Sequence, residues 1–259
     1  MISVEVIDHN VLIAFWLCFT RWSVILVQLP LFSTMMIPNS IKALSSLVIT
    51  YAFFPYVQDE ILKDIFYLGV NHFWILTIYN VLIGLIIGFF VKSIMDVFLS
   101  AGSIITQQMG FSALRYFDNS TSQRVGPFEK IITWTIVLMV LISGALLPMF
   151  KGIHNSFTSI HIQDLSKFLN SYEFALHFAK EIFLSALLLA SPFIFVNTLI
   201  MSVLGIVARM VPQMNVLMMS FVINIGTGLL VFITCSSEFF QVGFKIYSNK
   251  LGEWFQYIS

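Results

Sequence analysis

A group of polar side chains lies between two long apolar segments near the C-terminus. The only charged residue of the stretch 182–237 is Arg209, and a proline and two amides follow it: Pro212, Gln213 and Asn215. Guanidinium and amide groups form hydrogen bonds. These residues are therefore suited to anchoring the segment to other polar groups, and not to cleaving a bond. A solvated loop usually holds several charges. The pattern therefore predicts the tight, partly buried turn of a helical hairpin, whose polar groups need partners.

A second unusual stretch, 101–127, is loop-like but carries large apolar side chains. They are Met109, Phe111, Tyr116 and Phe117. Gly110 and Gly126 flank most of this group and would supply hinge freedom. Irregular backbone at membrane depth is tolerated only inside protein or along a cavity, and narrow apolar constrictions can close a pore by dewetting. Composition leaves two interpretations open: an aromatic anchor at the membrane interface, or a loop folded into a shared channel as a seal.

Two further polar residues lie within apolar segments. Arg21 costs about 3 kcal/mol in an apolar helix, so we expect it either to pair with another group, in a role between subunits, or to extend to the interface. Asn80 needs a hydrogen-bond partner. Gly84 and Gly88 form a GxxxG pattern and Gly102 lies further along. Since small residues let helix backbones approach closely, we expect these glycines to be packing positions.

Six charge-poor apolar segments must position these residues. They cover approximately 11–29, 41–57, 73–91, 131–150, 182–208 and 210–237, and the third is expected to continue as helix towards residue 108. Their lengths are close to the roughly 20 residues that a helix needs to cross a bilayer. With 58% hydrophobic and 10% charged residues, the sequence predicts an all-α, polytopic membrane-type protein of about six apolar helices. The linker 151–180 is expected to form an amphipathic surface helix.

The composition also argues against several functions. The 13 basic and 13 acidic residues balance, which does not suit a nucleic-acid binder. Cys18 and Cys235 lie in apolar segments without a CxxC pattern, and the histidines lack regular metal-ligand spacing. We therefore expect no metal and no cofactor. A membrane enzyme would need clustered His, Asp or Glu within the apolar segments, which hold almost none.

A small-solute secondary transporter is an alternative of another class. Its candidate ionisable residues would be Asp96 and Arg209. Such transporters usually carry broken helices at corresponding places in two halves. No such pair recurs here, so this alternative is the weaker one.

Four groups of residues together resemble a known family. They are Arg21 with Pro30-Leu31-Phe32-Ser33 and Pro38; Ile83-Gly84 with Gly88 and Ala101-Gly102; Gln108-Met109-Gly110 with Phe117-Asp118; and Ser191-Pro192, Leu204-Gly205, Arg209, Pro212-Gln213 and Asn215-Val216. In these residues the chain resembles the R-subunit family of the flagellar protein-export gate, FliR. The injectisome T subunit is the related alternative, but the Gln-Met-Gly motif is more typical of the flagellar branch.

Three departures mark this chain as a divergent member. The family usually has glutamate at Asn80, an Asp-Pro at Asp118-Asn119 and a Gly-His at Gly144-Ala145. A role of that glutamate or histidine cannot be transferred to this chain.

The resemblance implies a non-enzymatic subunit of the flagellar type III export apparatus in the bacterial inner membrane, within the flagellar basal body. Residues 1–180 would be similar to a P subunit, and residues 181–259 to a Q-subunit helical hairpin with a C-terminal tail. The implied partners are P and Q subunits, the B subunit of the apparatus, unfolded flagellar proteins in transit and membrane lipid. Nucleic acid is not one of them.

The resemblance also implies roles for individual residues. The loop 110–126 would plug the export pore, with the seal formed by Met109, Gly110, Phe111, Tyr116, Phe117 and Gly126. The subunit-packing positions would be Gly84, Gly88 and Gly102. The hairpin-tip anchors to a neighbouring subunit would be Arg209, Pro212, Gln213 and Asn215.

Overall fold

The computed structural model describes residues 8–29, 37–111, 116–118, 123–144, 146–164, 172–213 and 215–258. Their helices are α1 (His9–Gln28), α2 (Asn39–Leu68), α3 (Phe73–Gln108), α4 (Pro127–Ile142), α5 (Leu146–Ser159), α6 (Tyr172–Met210) and α7 (Val216–Ile258). Single 3-10 turns occur at Val70–His72 and Ile162–Asp164. The predicted all-α class is confirmed.

The sequence did not predict a short β-hairpin between α3 and α4. Its strands are β1 (Tyr116–Asp118) and β2 (Gln123–Val125), which pair in antiparallel register. The outer pair joins Tyr116 to Val125, and the inner pair joins Asp118 to Gln123.

The described helices also confirm the membrane-type character. Five of them, α1, α2, α3, α6 and α7, are long and apolar enough to cross a membrane, and α4 with α5 would make a sixth span if taken together. The α6 and α7 spans are only 22% and 17% buried within the chain. The apolar surfaces of these two helices therefore need to be covered by lipid or by other protein subunits.

Helix ends follow local chemistry more than the extent of apolar runs. The side chain of Asp8 caps α1 by accepting a hydrogen bond from the Asn10 amide at 3.2 Å. The predicted second segment ended near residue 57, but α2 continues through Pro55 to Leu68. Likewise, α7 runs far beyond the predicted end at residue 237 and reaches Ile258.

The prediction of one continuous helix over residues 131–150 is wrong. The chain ends α4 at Ile142 and begins α5 at Leu146. Gly144 adopts a left-handed conformation with φ of 71° just after the α4 C-cap, Ser143. Glycine at this position is a common helix terminator, because no Cβ opposes the left-handed backbone.

The linker 151–180 is divided between α5 and α6, and does not form one surface helix. Residues 165–171 of this stretch lie outside the described part of the chain. The inner face of α5 is buried, and its buried residues are Met149, Gly152, Ile153, Ser156 and Phe157.

The chain divides into two compact units. Unit 1 comprises Met1–Lys92, Leu146–Phe174 and Leu251–Ser259, and unit 2 comprises Ser93–Ala145 and Ala175–Lys250. In unit 1, α2 packs against α1 and α5. Rings fill its core: Trp22 lies 5.1 Å from Phe53 and 5.9 Å from Phe150 between centroids, and Phe90 stacks on Trp254 at 4.0 Å.

Unit 2 has its own aromatic core. The Phe128 ring lies 5.3 Å from Phe111 and 5.1 Å from Phe232, and Phe193 lies 6.3 Å from Phe232. The predicted division at residue 180 concerns likeness to P and Q subunits, and it stays a prediction.

Candidate functional site

The first root of the loop 110–126 is a tight turn at the end of α3. The amide of Met109 donates to the Ile105 carbonyl at 2.9 Å, and that of Gly110 donates to the Gln107 carbonyl at 3.1 Å. Gly110 has φ of 79°, a left-handed conformation that favours glycine. The turn directs Met109 inward, where its side chain is 0% exposed and packs beside Gly228 of α7.

Phe111 continues the loop along the aromatic core of unit 2. Its ring contacts Phe128 of α4, which in turn contacts Phe232 of α7. Both large apolar residues at the start of the loop are thus held by residues of this chain. Such contacts are non-directional and can rearrange without breaking fixed hydrogen bonds.

The second root of the loop is the start of α4. The Glu129 carboxylate accepts a hydrogen bond from the Gly126 amide at 3.0 Å, and Pro127 occupies the first turn, where a missing amide hydrogen is harmless. A Cβ at Gly126 would lie 2.5 Å from Cγ2 of Thr106 on α3. The two roots of the loop are therefore in direct contact.

Gly102 allows a close approach between α3 and α4. A Cβ there would lie 2.8 Å from the Cα of Glu129, and this backbone atom cannot move aside as a flexible side chain can. Glycine at this position therefore lets the two helices that carry the loop meet backbone to backbone.

Only the backbone is described for two of the predicted seal residues. Tyr116 and Phe117 belong to β1, where they pair with Val125 and Arg124. Residues 112–115 and 119–122 lie outside the described part of the chain, as does Asn119, one of the departures from the family pattern. The seal itself stays a prediction.

A buried polar site in unit 1 joins Arg21 and Asn80. Arg21 is 2% exposed, and its Nε donates to Asn80 Oδ1 at 3.0 Å. A second guanidinium nitrogen donates to the Ser156 carbonyl at 3.0 Å. The guanidinium also lies 4.2 Å from the centre of the Phe157 ring, a cation–π contact. Each of the two residues that the sequence marked as needing a partner thus has one, and Arg21 does not extend to the surface.

Gly84 and Gly88 bring α3 against α1 beside this polar site. A Cβ at Gly84 would lie 3.0 Å from the Arg21 carbonyl oxygen, and one at Gly88 would lie 3.0 Å from the Gln28 Cβ. All three predicted packing glycines thus make close contacts within the chain. Their role in packing between subunits stays a prediction.

A histidine bridges two carboxylates on α2 in the same unit. His161 Nδ1 lies 3.4 Å from Asp64 Oδ1, and its Nε2 lies 3.6 Å from Glu60 Oε2. This group fastens the segment after α5 to the charged end of α2. No local sequence pattern predicts this group, because His161 lies about 100 positions from Glu60 and Asp64.

The hairpin tip between α6 and α7 is exposed in the isolated chain. Its four predicted anchors, Arg209, Pro212, Gln213 and Asn215, are all exposed. Asn215 begins α7, since its side-chain oxygen accepts a hydrogen bond from the Met218 amide at 3.2 Å. Anchoring to a neighbouring subunit stays a prediction.

Two asparagines in unit 2 belong to this region but are not among the predicted site residues. Asn197 of α6 donates a side-chain hydrogen bond to Gln108, the last residue of α3. Asn224 of α7 is 6% exposed and lies beside the same group. A signal existed: each asparagine interrupts a charge-free apolar run, where an amide needs a hydrogen-bonding partner.

Comparison with known proteins identifies the family. Residues 12–249 match the family described as bacterial export proteins, family 1. The chain belongs to this family. The match covers most of its 259 residues and confirms the resemblance drawn from the four groups of residues.

Three relatives are all flagellar biosynthetic proteins FliR. That of Bacillus subtilis strain 168 is 28% identical over 238 residues, which cover 91% of this chain and 90% of the relative. That of Aquifex aeolicus is 24% identical over 253 residues, covering 94% and 95%. That of Borreliella burgdorferi is 32% identical over 153 residues, covering 58% and 57%.

Proposed function

We propose that this chain is a non-enzymatic core subunit of the flagellar type III protein-export gate. The observation that carries the proposal is the match to bacterial export proteins along residues 12–249, together with similarity to flagellar biosynthetic proteins over nearly the whole chain. In this role the chain joins P- and Q-type subunits in the bacterial inner membrane, within the flagellar basal body. The B subunit is a further partner of the assembly.

The exposed surface supports an assembled state. Along α6 and α7, large apolar side chains are 63–70% exposed, among them Phe183, Phe195, Ile206, Val222, Leu230 and Ile233. Such a surface needs lipid or partner subunits. The exposed tip of this hairpin carries Arg209, which can donate several hydrogen bonds to carbonyl groups of a neighbouring subunit.

The loop 110–126 is proposed as the plug of the pore that unfolded flagellar proteins cross. Its roots support this role: Met109 and Phe111 pack on an apolar core, and Gly110 and Gly126 are the positions at which the loop leaves the helices. Apolar side chains on a loop fixed at both ends can exclude water and ions, and can repack around a passing chain of varied sequence.

Co-purification with P- and Q-type subunits tests the proposed assembly. The chain should form a stable complex with both subunits, whose mass exceeds that of the 29.5 kDa chain. Arg209→Ala should reduce recovery of the partners about tenfold or more, because hydrogen bonds to a charged group contribute about 1.5–3 kcal/mol.

Lys245→Ala is the matched control, since Lys245 is an exposed cation on α7 away from the tip. This variant should assemble normally. Normal assembly and normal motility of Arg209→Ala would remove Arg209 as an anchor. Failure of the wild-type chain to bind either subunit would overturn the proposed function itself.

A further inference from the structure

A group of amide side chains joins the first root of the loop to the α6–α7 hairpin. Gln108, the last residue of α3, accepts a hydrogen bond from the Asn197 side chain through its Oε1. Met109 and the left-handed Gly110 follow immediately. The position of this root therefore depends on a polar contact to α6 as well as on apolar packing.

A narrow cavity of about 10 Å³ lies beside this contact. Its polar lining residues are Gln108, Asn197, Asn224 and Thr227, and its other walls are apolar. A volume of this order is sufficient for an ordered water molecule, which also needs polar partners. The Thr227 hydroxyl is already engaged, since it donates to the Ile223 carbonyl at 2.7 Å.

Two lining side chains have amide oxygens that require a donor. The Oδ1 atoms of Asn197 and Asn224 are buried, and within the described part of the chain neither accepts a hydrogen bond. Burying a carbonyl oxygen without a donor is costly, so native structures pair such atoms with protein groups or ordered water. A water molecule has two O–H groups, which is the number that these two oxygens need.

We propose that one water molecule occupies this cavity and donates hydrogen bonds to Asn197 Oδ1 and Asn224 Oδ1. With Gln108 it completes an amide latch, defined as Gln108, Asn197 and Asn224, that fastens the loop root to α6 and α7. The function of the latch rests on the proposed plug. Movement of the α6–α7 hairpin would be transmitted through the latch to Met109 and Gly110, and from there to the loop 110–126. Asn197 and Asn224 are then positioning residues for the plug.

A monovalent or divalent cation is the competing occupant. Hard cations in proteins usually take six or more oxygen ligands, frequently with carboxylates. The polar lining residues here are three amides and one hydroxyl, without a carboxylate. The lining therefore favours a water molecule, which is neutral and donates hydrogen bonds, over a cation.

The first test is a high-resolution cryo-EM map of the assembled gate complex in lipid nanodiscs. The expected result is a single water peak within hydrogen-bonding distance of both Oδ1 atoms. In Asn224→Leu, a substitution of similar volume, the peak should disappear. In the matched control Thr227→Val, which alters the same cavity wall without removing either oxygen, the peak should remain.

Two results of this map would overturn the proposal. One is a pair of protein donors on these oxygens with no water peak. The other is a peak with six oxygen ligands that changes when Na⁺ is exchanged for K⁺, which would identify a cation. Because the wild-type complex is decisive, failure of a variant to fold does not affect the test.

The second test measures how firmly the loop root is held, by hydrogen–deuterium exchange of the amides of residues 109–111. Asn224→Leu should raise their exchange about twofold to tenfold, the factor that corresponds to one ordinary hydrogen bond. Thr227→Val should leave it unchanged. Unchanged exchange in Asn224→Leu would mean that the latch does not hold the root.

This measurement separates the latch from the plug. If exchange rises in Asn224→Leu but deletion of the loop leaves the complex ion-tight, the latch stands and the plug proposal fails. If loop deletion makes the complex leaky but exchange is unchanged, the plug stands and the latch is overturned.

Discussion

The Arg21 guanidinium is buried inside unit 1, where its hydrogen-bond partners are neutral groups. Its hydrogen bonds go to the Asn80 side chain and the Ser156 carbonyl, and the guanidinium lies over the Phe157 ring. Hydrogen bonds to a charged group are stronger than those between neutral groups, and a buried charge without partners is very costly. The site therefore ties α1, α3 and α5 together.

Substitution of Asn80 tests this arrangement. Asn80→Leu should lower the stability of the purified chain by about 1.5–3 kcal/mol, because the buried guanidinium loses a hydrogen-bond acceptor. Asn80→Glu should retain folding, since a carboxylate can accept the same hydrogen bond and compensates the charge. Thermal unfolding in detergent provides the measurement.

The double variant Arg21→Met, Asn80→Leu is the control for loss of packing. It should be more stable than Asn80→Leu alone, since the charge that needs the acceptor is gone. Equal stability of wild type and Asn80→Leu would show that Asn80 does not support Arg21.

The sequence could predict the needs of individual residues, but not their partners. Arg21 and Asn80 were each expected to require a hydrogen bond, because polar groups in apolar segments do. The Ser156 carbonyl is 135 positions from Arg21 and belongs to a stretch expected to lie on the surface. Local pattern carries no information on such a long-range contact.

At the scale of elements, apolar runs located the helices but not all their ends. The runs predicted α1 and α3 well, including the continuation of α3 to Gln108. The apolar runs did not predict the C-terminal ends of α2 and α7. A helix continues wherever its backbone hydrogen bonds are satisfied, including through turns that carry charged side chains. The runs failed again near Gly144, where backbone conformation ends a helix within an apolar run.

The close packing of α3 on α4 gives a second prediction. Gly102→Ala should destabilise the chain, because overpacking against the fixed Glu129 backbone costs about 1–3 kcal/mol, which exceeds the gain of about 1 kcal/mol in helix propensity. Gly205→Ala is the matched control, as a Cβ there meets nothing within 4 Å. It should leave stability unchanged or raise it slightly.

Melting temperatures of the two variants in the same detergent decide the matter. We expect Gly102→Ala to melt below wild type and Gly205→Ala to melt at or above it. The same melting temperature for both variants would mean that α4 can move away from α3 without cost.

At the scale of the whole molecule, the described helices expose large apolar side chains, and the loop 110–126 is held at both of its roots. The exposed faces of α6 and α7 and the exposed tip at Arg209 suit contacts with lipid and subunits. The loop roots at Gly110 and Gly126 are held by contacts inside unit 2. The family match could be anticipated from motifs, whereas the Asn197–Gln108 contact and the β-hairpin required the structure.

The ion tightness of the assembled complex tests the central claim most directly. Deletion of residues 111–118 should leave the chain assembled with P- and Q-type subunits, because the hairpin tip and the outer helix faces are unchanged. The membrane should then become leaky to small ions, since the apolar seal is lost. Conductance across a lipid bilayer containing the purified complex, and sodium sensitivity of cells that produce it, would both rise above wild type. An assembled deletion variant with wild-type ion tightness would contradict the account, and would make the loop an interfacial anchor instead of a plug.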